Sequence, residues 1–128
     1  MLLEFSVKNY KSFYEKSTFS MLAAPKQKGL DYSLLKTRMK RKEIKALCSS
    51  VIYGPNAAGK TNIIGAMDTF RSIVLRGHIK NPDEANTPNE ASTSLELIPN
   101  STKANAEPVE FEIDFIENNT HVQYSLSI

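Results

Sequence analysis

The 128-residue sequence predicts an α/β fold in which antiparallel strands flank a central strand–loop–helix unit. Three observations carry that expectation. The opening stretch, LLEFSVKNY, alternates apolar and polar residues with period two. A glycine loop, GPNAAGKT, stands between a short apolar segment and a helix-periodic one. The last stretch, VEFEIDFIENNTHVQYSLSI, reads as two amphipathic strands joined by turn residues.

Taken in chain order, Leu3, Phe5 and Val7 share one strand face and Glu4, Ser6 and Lys8 the other, which predicts a strand over about Leu2–Lys8. NYKSF reads as a turn. STFSML resumes β character over Ser17–Leu22, so an antiparallel hairpin is expected, closed by Pro25 and Gly29. Asp31–Lys45 leaves two readings open, a partly ordered loop or a short helix, because Leu34, Leu35, Met39 and Ile44 are thinly spread among basic residues.

ALCSSVIYG reads as a short central strand that delivers the glycine loop at its C-terminal end, with Ser49 and Ser50 small enough to be buried. KTNIIGAMDTFRSIVLRG predicts a helix with one apolar stripe of Ile63, Met67, Phe70 and Val74. Gly77 is placed to cap its C-terminus, and Arg76 suits the helix dipole there. A surface loop is expected over 78–93, then a short strand in SLELI and a second loop in PNSTKANAEP. The closing β-hairpin, 109–128, carries Val109, Phe111, Ile113 and Phe115 on one face of its first strand. Val122, Tyr124, Leu126 and Ile128 share a face of the second.

Composition narrows the functional classes. Apolar residues make up 41% and charged residues 23%, which fits a globular chain and disfavours wholesale disorder. The length corresponds to one domain or part of a larger one. A single cysteine, Cys48, excludes an intrachain disulfide and agrees with a cytoplasmic setting. No apolar run approaches the roughly 20 residues that span a bilayer, so no membrane partner is expected. The net charge of +2 hides an asymmetry. Met1–Arg76 holds 14 Lys/Arg against 5 Asp/Glu, whereas Gly77–Ile128 holds 2 against 9. The densest basic run includes Lys36, Arg38, Lys40, Arg41, Lys42 and Lys45. It is either a solvated loop or a surface for phosphate groups, including non-specific contact with DNA.

The chemistry-bearing motif is Gly54-Pro55-Asn56-Ala57-Ala58-Gly59-Lys60-Thr61, which satisfies G-x-x-x-x-G-K-[ST], the Walker A pattern. Gly54 and Gly59 are expected to take positive φ and let the backbone approach a ligand. Successive N–H groups then form an anion nest, and the following helix adds its N-terminal dipole. Lys60 would reach the β- and γ-phosphates of a nucleotide, and the Thr61 hydroxyl would ligate Mg²⁺. The plainer alternative, a glycine-rich turn with an accidental lysine, is disfavoured by the full motif between an expected strand and helix. A Walker B strand is not evident. Asp114 in FEIDF is the nearest candidate, and its alternating context marks a half-exposed strand.

FSVKNYKSF followed by GPNAAGKTN resembles the ABC-type ATPase heads of the SMC, RecF and OLD-like group. It is most similar in look to AAA-family, ATP/GTP-phosphatase-like ATPases of bacterial anti-phage and abortive-infection systems. Asn9-Tyr10-Lys11-Ser12-Phe13 matches the Asn-aromatic-Lys/Arg-Ser-Phe end of that group's opening strand, and Asn62 is typical after its Walker threonine. The closing hairpin also resembles that group. Ala57 departs from a common glycine but remains small.

The resemblance implies a P-loop NTPase fold, specifically the N-terminal lobe of an ABC-ATPase head, since no signature motif, switch histidine or Q-loop is recognisable. Gln123, inside an expected strand, is not given the Q-loop role. The implied cofactors are ATP and Mg²⁺. The implied nucleotide contacts are Lys11, Ser12, Gly54, Pro55, Asn56, Ala57, Ala58, Gly59, Lys60, Thr61 and Asn62, with Lys60 catalytic. For Lys11 an exposed turn lysine stands as the alternative reading. The implied partners are a second copy, through ATP sandwiched between heads, and a companion effector such as a nuclease. Two other functions compete. A non-hydrolysing nucleotide-binding or scaffold module would work with a partner chain. A small-molecule or nucleoside kinase would carry Walker A nearer its N-terminus, so the order of elements disfavours it.

Overall fold

The computed structural model describes residues 1–25, 29–39, 42–56, 58–79, 95–101 and 107–128. A four-stranded antiparallel sheet has the order β2-β1-β5-β6, built from β1 (Leu2–Lys8), β2 (Ser17–Ser20), β5 (Glu110–Glu117) and β6 (Thr120–Ser127). A separate two-stranded ladder pairs β3 (Leu34–Met39) with β4 (Lys42–Leu47). One helix, α1 (Lys60–Arg76), packs against the first sheet.

The register follows from side-chain alternation. Phe5 stands opposite Phe19 and Ile113, and Ile113 stands opposite Tyr124, so these residues share a face. Val7, Phe111 and Leu126 continue it. Onto this face α1 lays Phe70, whose ring meets Phe5 at 5.8 Å, Phe111 at 6.0 Å and Tyr124 at 5.8 Å. Edge and tilted contacts of this kind add to the area buried. Tyr10, Ile63, Ala66, Ile73, Leu95 and Val109 complete the core. The β5–β6 turn is Asn118-Asn119, both with positive φ (46° and 59°), as a two-residue hairpin compatible with strand twist requires.

Several expectations are corrected. Leu3 does not share the core of Phe5 and Val7. The β1–β5 register shifts between Leu2 and Glu4, and Leu3 joins Ala46 and Ile116 in a second cluster with Met1, Met39 and Ile44. The segment read as loop or helix is a short 3₁₀ turn, Asp31–Ser33, followed by the β3–β4 hairpin. Its Met39, Ile44 and Ala46 seal that second cluster, while its charged face stays in water.

The strand expected in ALCSSVIYG ends at Leu47. Ser49 to Tyr53 makes no strand pairing, and Ser49 and Ser50 are exposed. Val51 and Tyr53 are 83% and 90% exposed. Apolar composition supplies strand propensity but not a pairing partner, and no described strand pairs with this segment.

On α1 the buried stripe is Ile63, Ala66, Thr69, Phe70 and Ile73, rotated from the expected one, so Val74 is 46% exposed. Gly77 caps the helix at φ 69°, its N–H donating to the Ile73 carbonyl at 2.9 Å. In SLELI, Leu95 is buried but residues 95–98 form no strand. Ser94, most of the 78–93 loop, Ala57, Lys40 and Arg41 lie outside the described residues.

Candidate functional site

The Gly54–Thr61 loop runs straight into α1. Ala58 N–H donates to the Pro55 carbonyl at 3.3 Å, and the N–H groups of Asn62 and Ile63 both donate to the Gly59 carbonyl, at 3.0 and 3.2 Å. Gly59 is the N-cap and sits in the left-handed region at φ 80°. A Cβ there would lie 3.0 Å from Ser12 Oγ and 3.5 Å from the Phe13 ring. Glycine is therefore favoured by φ, and any side chain would also press on the Ser12 hydroxyl. Gly54 does not take positive φ, and a Cβ on it would meet the Ala58 Cβ at an ordinary 3.7 Å. The expectation of positive φ at both glycines is corrected to Gly59 alone.

The electrostatics suit an anion. The first turn of α1 carries no acidic residue and Gly59 offers no side-chain cap, so the positive end of the helix dipole is left uncompensated. Lys60 folds back over the loop, its Nζ donating to the Gly54 carbonyl at 2.8 Å and the Pro55 carbonyl at 2.6 Å. Asn56, Ala58, Gly59, Lys60, Thr61 and Asn62 border a cavity of about 380 Å³. Asn56, Ala58 and Thr61 are exposed around it, and Gly54 and Pro55 are exposed earlier in the loop. Lys60 and Thr61 thus stand beside the loop at the positive end of the α1 dipole, both bordering the same cavity.

The Asn9–Phe13 turn is keyed to this helix. Tyr10 and Phe13 exchange backbone hydrogen bonds at 2.9 and 2.8 Å, and Asn9 and Lys11 take positive φ. Asn62 Nδ2 donates to Ser12 Oγ at 2.8 Å. The buried Tyr10 hydroxyl bonds Thr69 Oγ1 at 3.1 Å. Buried Asn9 donates to the Glu107 carbonyl at 2.6 Å and accepts from the Asn100 N–H at 3.2 Å. Ser12 therefore touches the loop directly.

Lys11 does not. Its ammonium pairs with Glu96, 5.5 Å from the Tyr10 ring centroid. The Glu96 carboxylate beside it raises the Lys11 pKa above the ordinary value of 10.5, against the opposing effect of burial. Glu96 was not foreseeable, because it stands 85 residues away in a segment without a motif.

Asp114 lies in β5 with its carboxylate bonded by His121 Nε2 and, at 3.4 Å, by Gln123 Nε2. It shares the polar sheet face with Glu4 and Glu112, while neighbouring Ile113 faces α1. That arrangement fits the sequence reading of a half-exposed strand. Among the described residues no group of three or more His, Cys, Asp or Glu forms a metal cluster. No described helix is long and apolar enough to cross a membrane.

The described basic residues Lys36, Arg38 and Lys45 share one face of the β3–β4 hairpin with Glu43. Lys36 donates to Asp31 at 2.6 Å, and Lys45 pairs with Glu43 at 3.3 Å. Lys42 is exposed on the opposite face, across from Met39.

Residues 49–128 match the family described as "AAA domain, putative AbiEii toxin, Type IV TA system". The match takes in the glycine loop, α1 and the closing hairpin, and begins after the Asn9–Phe13 turn. Searches of curated proteins and of solved structures returned no significant match.

Proposed function

The chain belongs to this AAA-domain family, and from that premise we propose that it binds a nucleoside triphosphate, ATP with Mg²⁺, through Gly54–Thr61. The observation that carries the proposal is Gly59. It is a left-handed N-cap where a Cβ would crowd Ser12, opening an acid-free helix directly before Lys60 and Thr61. In this reading Lys60 leaves the Gly54 and Pro55 carbonyls for phosphate oxygens, Thr61 takes the cation, and Asn62 and Ser12 brace the loop.

The wider reading is an ABC-type head of the SMC, RecF and OLD-like kind, acting in the cytoplasm. Two copies would close on sandwiched ATP, with hydrolysis in the complete assembly. The closure would signal to a companion effector such as a nuclease, or to DNA, in anti-phage defence. The family's description, which names a toxin–antitoxin system, is in keeping with such a role. Non-specific DNA contact would fall to Lys36, Arg38, Lys40, Arg41, Lys42 and Lys45. Replacing them should weaken DNA binding and flatten its salt dependence; unchanged affinity would remove DNA from the scheme.

A second reading is nucleotide binding without turnover. In it Asp114, the nearest acid to a Walker B pattern, keeps its bonds to His121 and Gln123 on the polar sheet face. Phosphate release measured beside binding separates the two. Turnover that Lys60→Ala abolishes supports the ATPase, and binding with no release supports the module.

A further inference from the structure

β6 is an edge strand of the four-stranded sheet, and we propose that two copies of the chain pair through it, antiparallel and without nucleotide. The outer side of β6 follows from its inner side. Val109 and Ile128 each donate an N–H to the other's carbonyl, at 2.8 and 3.0 Å. In an antiparallel ladder such mutual pairs alternate with pairs that exchange no bond. The β5–β6 register runs on unbroken to Glu117 and Thr120, so Leu126, Tyr124, Val122 and Thr120 also turn their backbone groups to β5. His121, Gln123, Ser125 and Ser127 turn theirs outward, and no described strand pairs with them.

This edge lacks the devices that ordinarily blunt one. Its sequence, THVQYSLS, holds no Lys, Arg, Asp, Glu, Pro or Gly, and its ladder to β5 has no bulge. The opposite edge strand, β2, is only four residues long. Self-pairing also fixes its own register. Outward residues must face outward residues, and a twofold axis must relate the two strands. An axis at Tyr124 sets His121 opposite the partner's Ser127 and Gln123 opposite the partner's Ser125. Moving the axis by one residue leaves either Ser127 or His121 unmatched.

On the other face the same axis sets Tyr124 against the partner's Tyr124, and Val122 against the partner's Leu126. Such aromatic and apolar pairs stabilise neighbouring strands, and no charge meets its like. The apolar surface continues past the strand. Val122 and Tyr124 also line a cavity of about 440 Å³ with Phe70, Val74 and Leu75, of which Val74, Leu75 and Tyr124 are exposed. A strand with the alternation of β6 itself brings its apolar side chains alongside that surface. None of Gly54–Thr61 takes part, so the pairing is independent of nucleotide binding.

The test is sedimentation equilibrium of the nucleotide-free chain beside Ser125→Pro, with circular dichroism to verify each fold. Proline at 125 removes an N–H that points outward and none that bonds β5. The wild type should form a dimer whose share rises with concentration, and Ser125→Pro should remain a monomer. Cys48 is the free cysteine and is replaced by serine for the second arm. There Tyr124→Cys should give a disulfide-linked dimer under mild oxidation. Residues facing each other across the axis lie about 4.5 Å apart at Cα, within disulfide reach. Ser127→Cys, offset from its copy by roughly 20 Å of strand, should not cross-link. A wild type that stays monomeric at every concentration overturns the pairing. So does a folded Ser125→Pro that still dimerises, or equal cross-linking by the two cysteines.

Discussion

The side-chain amide of Asn62 donates to the Ser12 hydroxyl at 2.8 Å, joining two residues 50 positions apart. One stands in the first turn of the helix after the glycine loop and the other in the turn after the first strand. Deleting either partner, in Asn62→Ala or Ser12→Ala, should cost about 1 kcal/mol. The double variant should lose less than the two single losses together, because both remove the same bond. Urea denaturation of the four proteins measures this. Fully additive losses would mean that the bond contributes nothing.

Gly59 and Gly54 should respond differently to alanine. At Gly59 the left-handed backbone alone costs an alanine about 1–2 kcal/mol, and its Cβ would crowd Ser12 and Phe13. At Gly54 the new methyl meets only Ala58, at 3.7 Å. Thermal unfolding should therefore show a clear drop in Tm for Gly59→Ala and a smaller one for Gly54→Ala, with ATP affinity lost in the former.

Tyr10 is fully buried, and its hydroxyl is bonded to that of buried Thr69. Tyr10→Phe strands the threonine hydroxyl and should cost about 1–2 kcal/mol. Adding Thr69→Val removes the orphaned group and should recover part of the loss. A denaturant midpoint that falls further in the double variant would contradict this pairing.

Lys11 supplies a pH signature. Its folded-state pKa is raised by Glu96, so the stabilisation is fully present below the ordinary 10.5 and is lost as pH rises through the higher folded value. The Tm difference between the wild type and Lys11→Met should be constant from neutral pH up to 10.5 and shrink above it. A difference that persists unchanged on the alkaline limb would exclude the ion pair as its source.

Local chemistry made part of this molecule legible in its sequence. The strand over Leu2–Lys8, the Asn118-Asn119 turn, the Gly77-capped helix and the left-handed Gly59 each depend on neighbouring residues and stand where they were expected. What failed depends on partners distant in the chain. The β3–β4 hairpin was obscured because its buried side, Met39, Ile44 and Ala46, is short and interrupted by surface lysines. Val51 and Tyr53 have strand propensity but no described strand to pair with. Leu3 turns away from Phe5 at a register shift that alternation cannot encode. The ties that organise the site, Tyr10 to Thr69, Ser12 to Asn62 and Lys11 to Glu96, link positions 59, 50 and 85 residues apart. They emerge only when the turn is laid against the helix.

Nucleotide binding at Gly54–Thr61 is tested most directly by calorimetric titration of Mg²⁺–ATP into the wild type and Lys60→Ala. The expected result is saturable one-site binding by the wild type. In Lys60→Ala it should weaken by roughly tenfold or more, the scale of a lost charge-assisted hydrogen bond, with Tm preserved. No binding by the wild type, or equal affinity in the variant, would contradict the account.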